Sequence, residues 1–62
     1  MYATFDAATR RYLAAYTAAT RTAVWTSDPA RALKWASQAM VFYTAAHFPD
    51  RALMDIHAIR VA

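Results

Sequence analysis

The stretch 29-PARALKWASQAMVFYTAAHF-48 carries two apolar seams side by side. The first seam consists of Leu33, Ala36, Met40, Tyr43 and His47. The second seam has the same spacing and consists of Ala32, Trp35, Ala39, Phe42 and Ala46. Alternating steps of three and four residues are typical of one face of an α-helix. The stretch therefore predicts a helix over about residues 29–47 that needs neighbours on two of its sides.

The segment before this stretch follows a similar repeat. Its seam consists of Tyr2, Phe5, Thr9, Tyr12, Tyr16, Ala19 and Ala23. Thr4 is suited to cap a helix here, and Asp6 would then lie in the first turn, where a negative charge suits the helix dipole. We therefore expect a first helix over about residues 4–25.

Two proline sites divide the chain into three segments. Asp28 and Pro29 fit the N-cap and the first residue of a helix. Pro49 ends the second segment, and Asp50 offers an N-cap for a third helix over about residues 50–60. So short a connection before Pro29 makes the first two helices antiparallel neighbours. The chain has no Gly, which disfavours the tight turns of β-hairpins.

These elements predict an all-α protein, with a long antiparallel helical hairpin and a short third helix in one domain over residues 1–62. The composition is 60% hydrophobic and 15% aromatic, and there is no Cys to form a disulfide. A chain of this size buries only about 60% of the surface that its unfolded form exposes. We therefore expect self-association, as a homodimer that forms a helical bundle.

The aromatic residues of the second seam indicate a binding surface. Trp35 and Phe42 are flanked by small residues, which suits a groove that accepts another helix, and binding hot spots favour Trp, Tyr and Arg. Either the third helix or a second chain would cover this seam. The predicted partner-binding residues are Trp35, Phe42, Ala39, Trp25, Ile56 and Ile59.

Three tyrosines of the two long segments allow two interpretations. Tyr12, Tyr16 and Tyr43 would line a small-molecule slot between the first two helices, or they would pack with their hydroxyls reaching water. Amphipathic packing is the favoured interpretation, because it needs no ligand.

The sequence contains little that catalysis or metal binding needs. His47 and His57 are the strongest candidates, but neither forms a helical i, i+4 ligand pair with Asp50 or Asp55. There is no Cys nucleophile, and a small helical chain without Gly loops has few ways to build an oxyanion hole. We expect no catalytic, cofactor or metal site and therefore a non-enzymatic protein-binding module.

The positive charge supports an alternative function. The net charge is +3, and a small basic nucleic-acid-binding protein would use Arg10, Arg11, Arg21, Arg51 and Arg60. The third segment lacks the Asn, Gln, Ser and Lys side chains that read base edges, and its two Asp residues would face phosphate. Docking on another protein is therefore the favoured function.

The predicted location depends on two features that the sequence lacks, a signal peptide and a membrane span. Residues 1–6 lack the basic and apolar regions of a signal peptide, and the longest uncharged run, 35–49, is too short to span a bilayer. We expect a cytoplasmic protein without a membrane span. The excess of Arg and Ala over Lys suggests a bacterial or phage accessory protein.

Overall fold

A computed structural model of the chain describes residues 1–61 and consists of an antiparallel sheet with one α-helix. The strands are β1 (Tyr2–Asp6), β2 (Arg11–Thr17), β3 (Thr22–Thr26), β4 (Lys34–Trp35) and β5 (Ile56–Arg60), and the helix is α1 (Gln38–Ala45). Single 3₁₀ turns cover Pro29–Arg31 and Arg51–Leu53. Ala62, the last residue of the predicted 1–62 domain, lies outside the described residues.

Strand β1 lies at the centre of the sheet. Tyr2 is paired with both Trp35 and Arg60, and Phe5 is paired with both Tyr12 and His57. Strand β5 therefore follows one edge of β1, while β2 and β4 share the other edge. Strand β3 pairs with β2, so β3, β5 and the two-residue strand β4 each have an outer edge.

The all-α prediction is wrong, and with it the helical hairpin and the helical bundle. Residues 4–25 form β1, β2 and β3 in place of the first helix. Residues 29–47 form a 3₁₀ turn, β4 and α1, and residues 50–60 form a 3₁₀ turn and β5. Residues 1–26 contain six Thr and three Tyr, and such β-branched and aromatic side chains favour strands. The Ala residues between them fit either a helix or a strand, so the 3-4 spacing of the seam residues did not distinguish the two structures.

The turns form without glycine, contrary to the expectation that its absence disfavours hairpins. Arg10 and Arg21 take the left-handed conformation, with φ of 57° and 52°. This conformation costs a residue with a side chain about 1–2 kcal/mol. The sheet tolerates that cost at one position in each of its two hairpin turns.

Asp6 and Thr4 have roles in the sheet that differ from those predicted. The Asp6 carboxylate accepts hydrogen bonds from the Ala8 amide at 3.1 Å and the Thr9 hydroxyl at 3.0 Å. It therefore shapes the β1–β2 turn, where the helical prediction placed it in a first helical turn. Thr4 lies within β1 and caps no helix.

The capping prediction at Asp28 is confirmed locally. The Asp28 carboxylate accepts a hydrogen bond of 2.9 Å from the Ala30 amide, and Pro29 is the first helical residue. The helix that follows is only one 3₁₀ turn. Asp50 also precedes a 3₁₀ turn, but its side chain makes no capping hydrogen bond.

Helix α1 packs on the sheet through a face that neither predicted seam contains. Its buried residues are Val41, Thr44 and Ala45, and the buried Phe48 follows the helix. The predicted seam positions from residue 36 onward are exposed: Ala36, Ala39, Met40, Phe42, Tyr43, Ala46 and His47. The buried face includes the polar residue Thr44, so its residues are less apolar than those of the two predicted seams beside it.

The core lies between α1 and one face of the sheet. Leu13, Ala45 and Phe48 form its buried centre. The register of β2 against β3 shifts between Leu13 and Ala15. This irregularity adds one residue to β2, so Leu13 and Tyr16 both pack against the core although they are three residues apart.

Candidate functional site

Strand β3 has an outer edge that is free within the part of the chain the structure describes. Its register is with β2 alone, from Thr22 opposite Thr17 to Thr26 opposite Tyr12. The backbone groups that point away from β2 therefore have no ladder partner among residues 1–61. Such groups are a template on which another strand can pair.

The side chains of β3 do not protect this edge. The strand reads TAVWT, without charge and without proline, and Val24 at its centre is 53% exposed. Natural edge strands usually carry charged residues or proline that discourage pairing. By this criterion β3 is well suited to pair with another strand.

Strand β4 also has an outer edge but is only two residues long and includes Lys34. Strand β5, the longer of the two other strands with an outer edge, differs from β3 in this respect. It carries the exposed residues His57 and Arg60. The His57 imidazole Nε2 also lies 2.9 Å from the Asp55 carboxylate, immediately before the strand. Charged and polar side chains on β5 disfavour the approach of a second strand, so β3 is the stronger candidate.

Opposite charges flank β3. Arg21 immediately precedes the strand, and Asp28 follows its last residue by two positions. Both residues are exposed. The Asp28 carboxylate also lies 3.9 Å from the Arg31 side chain, which is itself exposed. The edge therefore has Arg21 at one end and, at the other end, the Asp28 carboxylate with Arg31 close to it.

Three of the six predicted partner-binding residues are half-buried around the core. Trp35 donates a hydrogen bond of 3.2 Å from its indole nitrogen to the Thr4 hydroxyl. Trp25 packs edge-on against Phe48, with 5.6 Å between the ring centroids. Ile56 also packs against the core cluster. These side chains contribute to internal packing in the single chain.

The other three predicted residues lie elsewhere. Ile59 in β5 lies opposite Ala3 in β1. It therefore points to the same face of the sheet as Ala3 and Phe5. Ala39 and Phe42 are exposed on α1, where Phe42 retains 50% of its exposure. The structure therefore does not bring the six residues together into one surface. No third helix covers the Trp35/Phe42 seam, because residues 56–60 form β5.

The β3 edge was not among the sites predicted from the sequence. The available signal was the uncharged run Thr22–Thr26, rich in Thr, Val and Trp and bounded on one side by Ser27-Asp28-Pro29. Such a run with turn residues beside it is typical of a strand. The helical interpretation of residues 4–25 concealed it.

The basic residues of the nucleic-acid alternative are spread over the fold. Arg10 and Arg11 lie at the end of the sheet where β1 leads to β2, and Arg21 and Arg60 lie at the opposite end. Arg51 lies in the 3₁₀ turn before β5. A nucleic-acid interface usually presents its basic residues as one patch or stripe. These five arginines do not form one patch or stripe.

The two histidines are exposed. His47 packs edge-on against Tyr43 at 5.6 Å between ring centroids, and His57 pairs with Asp55. Across residues 1–61, no group of three or more His, Asp or similar ligands is placed to hold a metal ion. Over the same residues, α1 is too short to cross a bilayer and no other helix is longer.

Comparison with known proteins gives no relative for this chain. It matches no protein-family model, no curated protein and no solved structure. Its function therefore has to be inferred from its own residues.

Proposed function

We propose that this protein is a small non-enzymatic interaction module that self-associates by joining the β3 edges of two copies into one continuous sheet. The observation that carries this proposal is the free, uncharged outer edge of β3, with the exposed Val24 at its centre. When a strand is added to an edge, backbone hydrogen bonds supply affinity and the side chains supply specificity.

A symmetric antiparallel pairing centred on Val24 fits the sequence of β3. It places Thr22 of one copy opposite Thr26 of the other, and it places Val24 opposite Val24. A two-fold interface of this kind uses the same surface on both copies. Cross-strand pairs of Thr and of Val are favourable because β-branched side chains pack well on a pleated surface.

The charges that flank β3 complement each other in this arrangement. The pairing brings Arg21 of one copy beside Ser27 and Asp28 of the other, at both ends of the joined strands. Complementary charges of this kind favour the correct register and orientation more than they add affinity. A parallel pairing in register would instead place Arg21 beside Arg21 and separate it from Asp28.

The same pairing gives Trp25 a role between the copies. Residues opposite each other in an antiparallel ladder point to the same face of the sheet, so Trp25 of one copy would meet Ala23 of the other on the side that carries α1. Both helices would then lie on one face of the extended sheet. Of the six residues that the sequence predicts for partner binding, Trp25 is the one nearest this edge.

The test is the molar mass in solution, measured by size-exclusion chromatography with light scattering. We expect a dimer for the wild-type chain. Val24→Lys should give a monomer with an unchanged circular dichroism spectrum, because the residue is exposed and a lysine on an edge strand opposes pairing.

The matched control for that variant is Leu53→Lys. Leu53 is 80% exposed and lies in the 3₁₀ turn before β5, so this change introduces the same charge at an exposed apolar residue away from β3. We expect this variant to remain dimeric. A monomeric wild-type chain, or a dimer that persists in Val24→Lys, would contradict the proposal.

A further inference from the structure

An open cleft of about 590 Å³ lies between α1 and the end of the β2–β3 hairpin. Its principal lining residues, which we call the aromatic slot, are Tyr16, Arg21, Trp35, Met40, Tyr43 and His47. Binding sites for small molecules are typically clefts of about 300–1,000 Å³ with apolar and aromatic walls and few polar groups. The aromatic slot has both the size and the composition of such a site.

The walls of the slot present aromatic carbon surface. Tyr16 and Trp35 are half-buried, and Tyr43 packs edge-on against His47. The Trp35 indole nitrogen already donates to Thr4, which fixes the ring and leaves its carbon surface for contact. A flat aromatic ligand matches such walls, because aromatic rings pack favourably in offset or edge-on arrangements.

The charge of the slot has one sign. Arg21 lines the cleft, and no Asp lines it. The two side-chain ion pairs found over residues 1–61, Arg31 with Asp28 and His57 with Asp55, do not involve Arg21. A guanidinium without a carboxylate partner among the described residues suits the carboxylate of a ligand, with which it forms charge-assisted hydrogen bonds.

The Tyr16 hydroxyl gives a second, independent indication that the slot binds a ligand. Its oxygen is buried, and it has no hydrogen-bond partner among the described residues. Buried polar side-chain atoms are nearly always hydrogen-bonded, and each exception calls for a physical explanation. Tyr16 lines the slot, and its hydroxyl is covered by neighbouring atoms, so a ligand with an acceptor oxygen would supply the missing partner by displacing those atoms.

We propose that the aromatic slot binds a small planar aromatic carboxylic acid. The ring of the ligand lies against Trp35 and Tyr43, and its carboxylate pairs with Arg21. This site uses the side of the sheet that carries α1 and needs no second copy of the chain. It shares Arg21 with the proposed pairing at the β3 edge, where Arg21 would lie beside Ser27 and Asp28 of the other copy, but it does not require that pairing.

The test is a titration followed by ¹H–¹⁵N NMR, with 2-naphthoate as the probe and the uncharged 2-naphthamide as its matched control. The chain has two tryptophans, and only Trp35 lines the slot. We expect 2-naphthoate to shift the Trp35 indole resonance more than that of Trp25. The amide should bind about fivefold more weakly, as is typical for the loss of one partly exposed charged contact.

Variants then test the two polar residues. Arg21→Gln should weaken binding of 2-naphthoate by about fivefold, whereas Arg51→Gln, at a different cleft, should leave it unchanged. Tyr16→Phe should also weaken binding while the rest of the NMR spectrum shows a folded chain. Equal binding of naphthoate and naphthamide, an Arg21→Gln variant that binds like the wild type, or shifts of Trp35 no larger than those of Trp25 would overturn the proposal.

Discussion

The indole nitrogen of Trp35 donates a hydrogen bond of 3.2 Å to the hydroxyl of Thr4, joining β4 to the central strand β1. Thr4 is fully buried, so its hydroxyl has no access to water. Trp35 was predicted from sequence as an anchor for a partner. In the single chain it instead satisfies a buried polar group and contributes to packing beside the core.

A double-mutant cycle on this pair should show strong coupling. Trp35→Phe keeps an aromatic ring but leaves the Thr4 hydroxyl buried without its donor, which costs about 1–3 kcal/mol of unfolding free energy. Thr4→Val removes the hydroxyl, so adding Trp35→Phe to it should cost clearly less. Urea unfolding of the four proteins measures the coupling. Additive effects would show that the hydrogen bond does not form.

Two phenylalanines near the end of α1 should differ sharply in their contribution to stability. Phe48 is 4% exposed and contacts the rings of Tyr16 and Trp25 at 5.3 and 5.6 Å. Phe48→Ala should cost about 3–5 kcal/mol, enough to unfold most small single-core domains.

Phe42→Ala is the matched control for Phe48→Ala. Phe42 keeps half of its exposure, so its removal should cost about 1 kcal/mol or less. Thermal unfolding followed by circular dichroism measures both variants. A larger loss for Phe42→Ala than for Phe48→Ala would mean that α1 packs through one of the seams that the sequence predicted.

Asp6 should be the most important acidic residue for stability. Its buried carboxylate accepts hydrogen bonds from Ala8 and Thr9, and also from the Asp55 amide at 2.9 Å, which ties the start of β5 to the β1–β2 turn. Asp6→Ala should cost about 3 kcal/mol, because it leaves these donors without their acceptor.

Asp50→Ala provides the control for that change, since the Asp50 side chain makes no capping hydrogen bond. We expect it to alter stability by about 0.5 kcal/mol at most. Denaturant unfolding of both variants separates the two cases. Equal effects would show that Asp6 does not organise the turn.

The left-handed turn residues should respond oppositely to their neighbours when changed to glycine. Arg10→Gly relieves the conformational cost of φ 57°, although glycine also raises the entropy of the unfolded chain, so the net gain should be about 0.5 kcal/mol. Arg11→Gly, one residue later and inside β2, should destabilise, because glycine weakens a strand. A loss of stability in Arg10→Gly would contradict this assignment of the turn.

The capped turn at Asp28-Pro29 was predictable from the sequence, whereas the two hairpin turns and the fold class were not. Asp28 and Pro29 predict the turn by themselves, because the carboxylate acceptor, the proline and the amide that is capped all lie within three consecutive residues. The apolar seams of residues 2–23 and 32–47 do not specify a structure in this way, because their packing partners lie far away in the sequence. Leu13 and Tyr16 lie three residues apart on one face, as in a helix, because the extra residue in β2 restores their common direction. A bulge of this kind imitates helical spacing.

The candidate sites were predictable only in fragments. Trp25 was identified for partner binding, but the free edge beside it depends on which strands pair, and those contacts lie far apart in sequence. Tyr16 and Tyr43 were considered for a small-molecule slot together with Tyr12. The structure places Tyr16 and Tyr43 at one cleft, while Tyr12 packs against Phe5, with 4.9 Å between the ring centroids.

Isotope-filtered NMR on a mixture of labelled and unlabelled chains tests self-association through β3 most directly. We predict intermolecular contacts between Thr22 of one copy and Thr26 of the other, with Val24 at the centre of symmetry. Intermolecular contacts confined to α1 or β5, or the absence of any at concentrations where the chain is dimeric, would contradict the joined sheet.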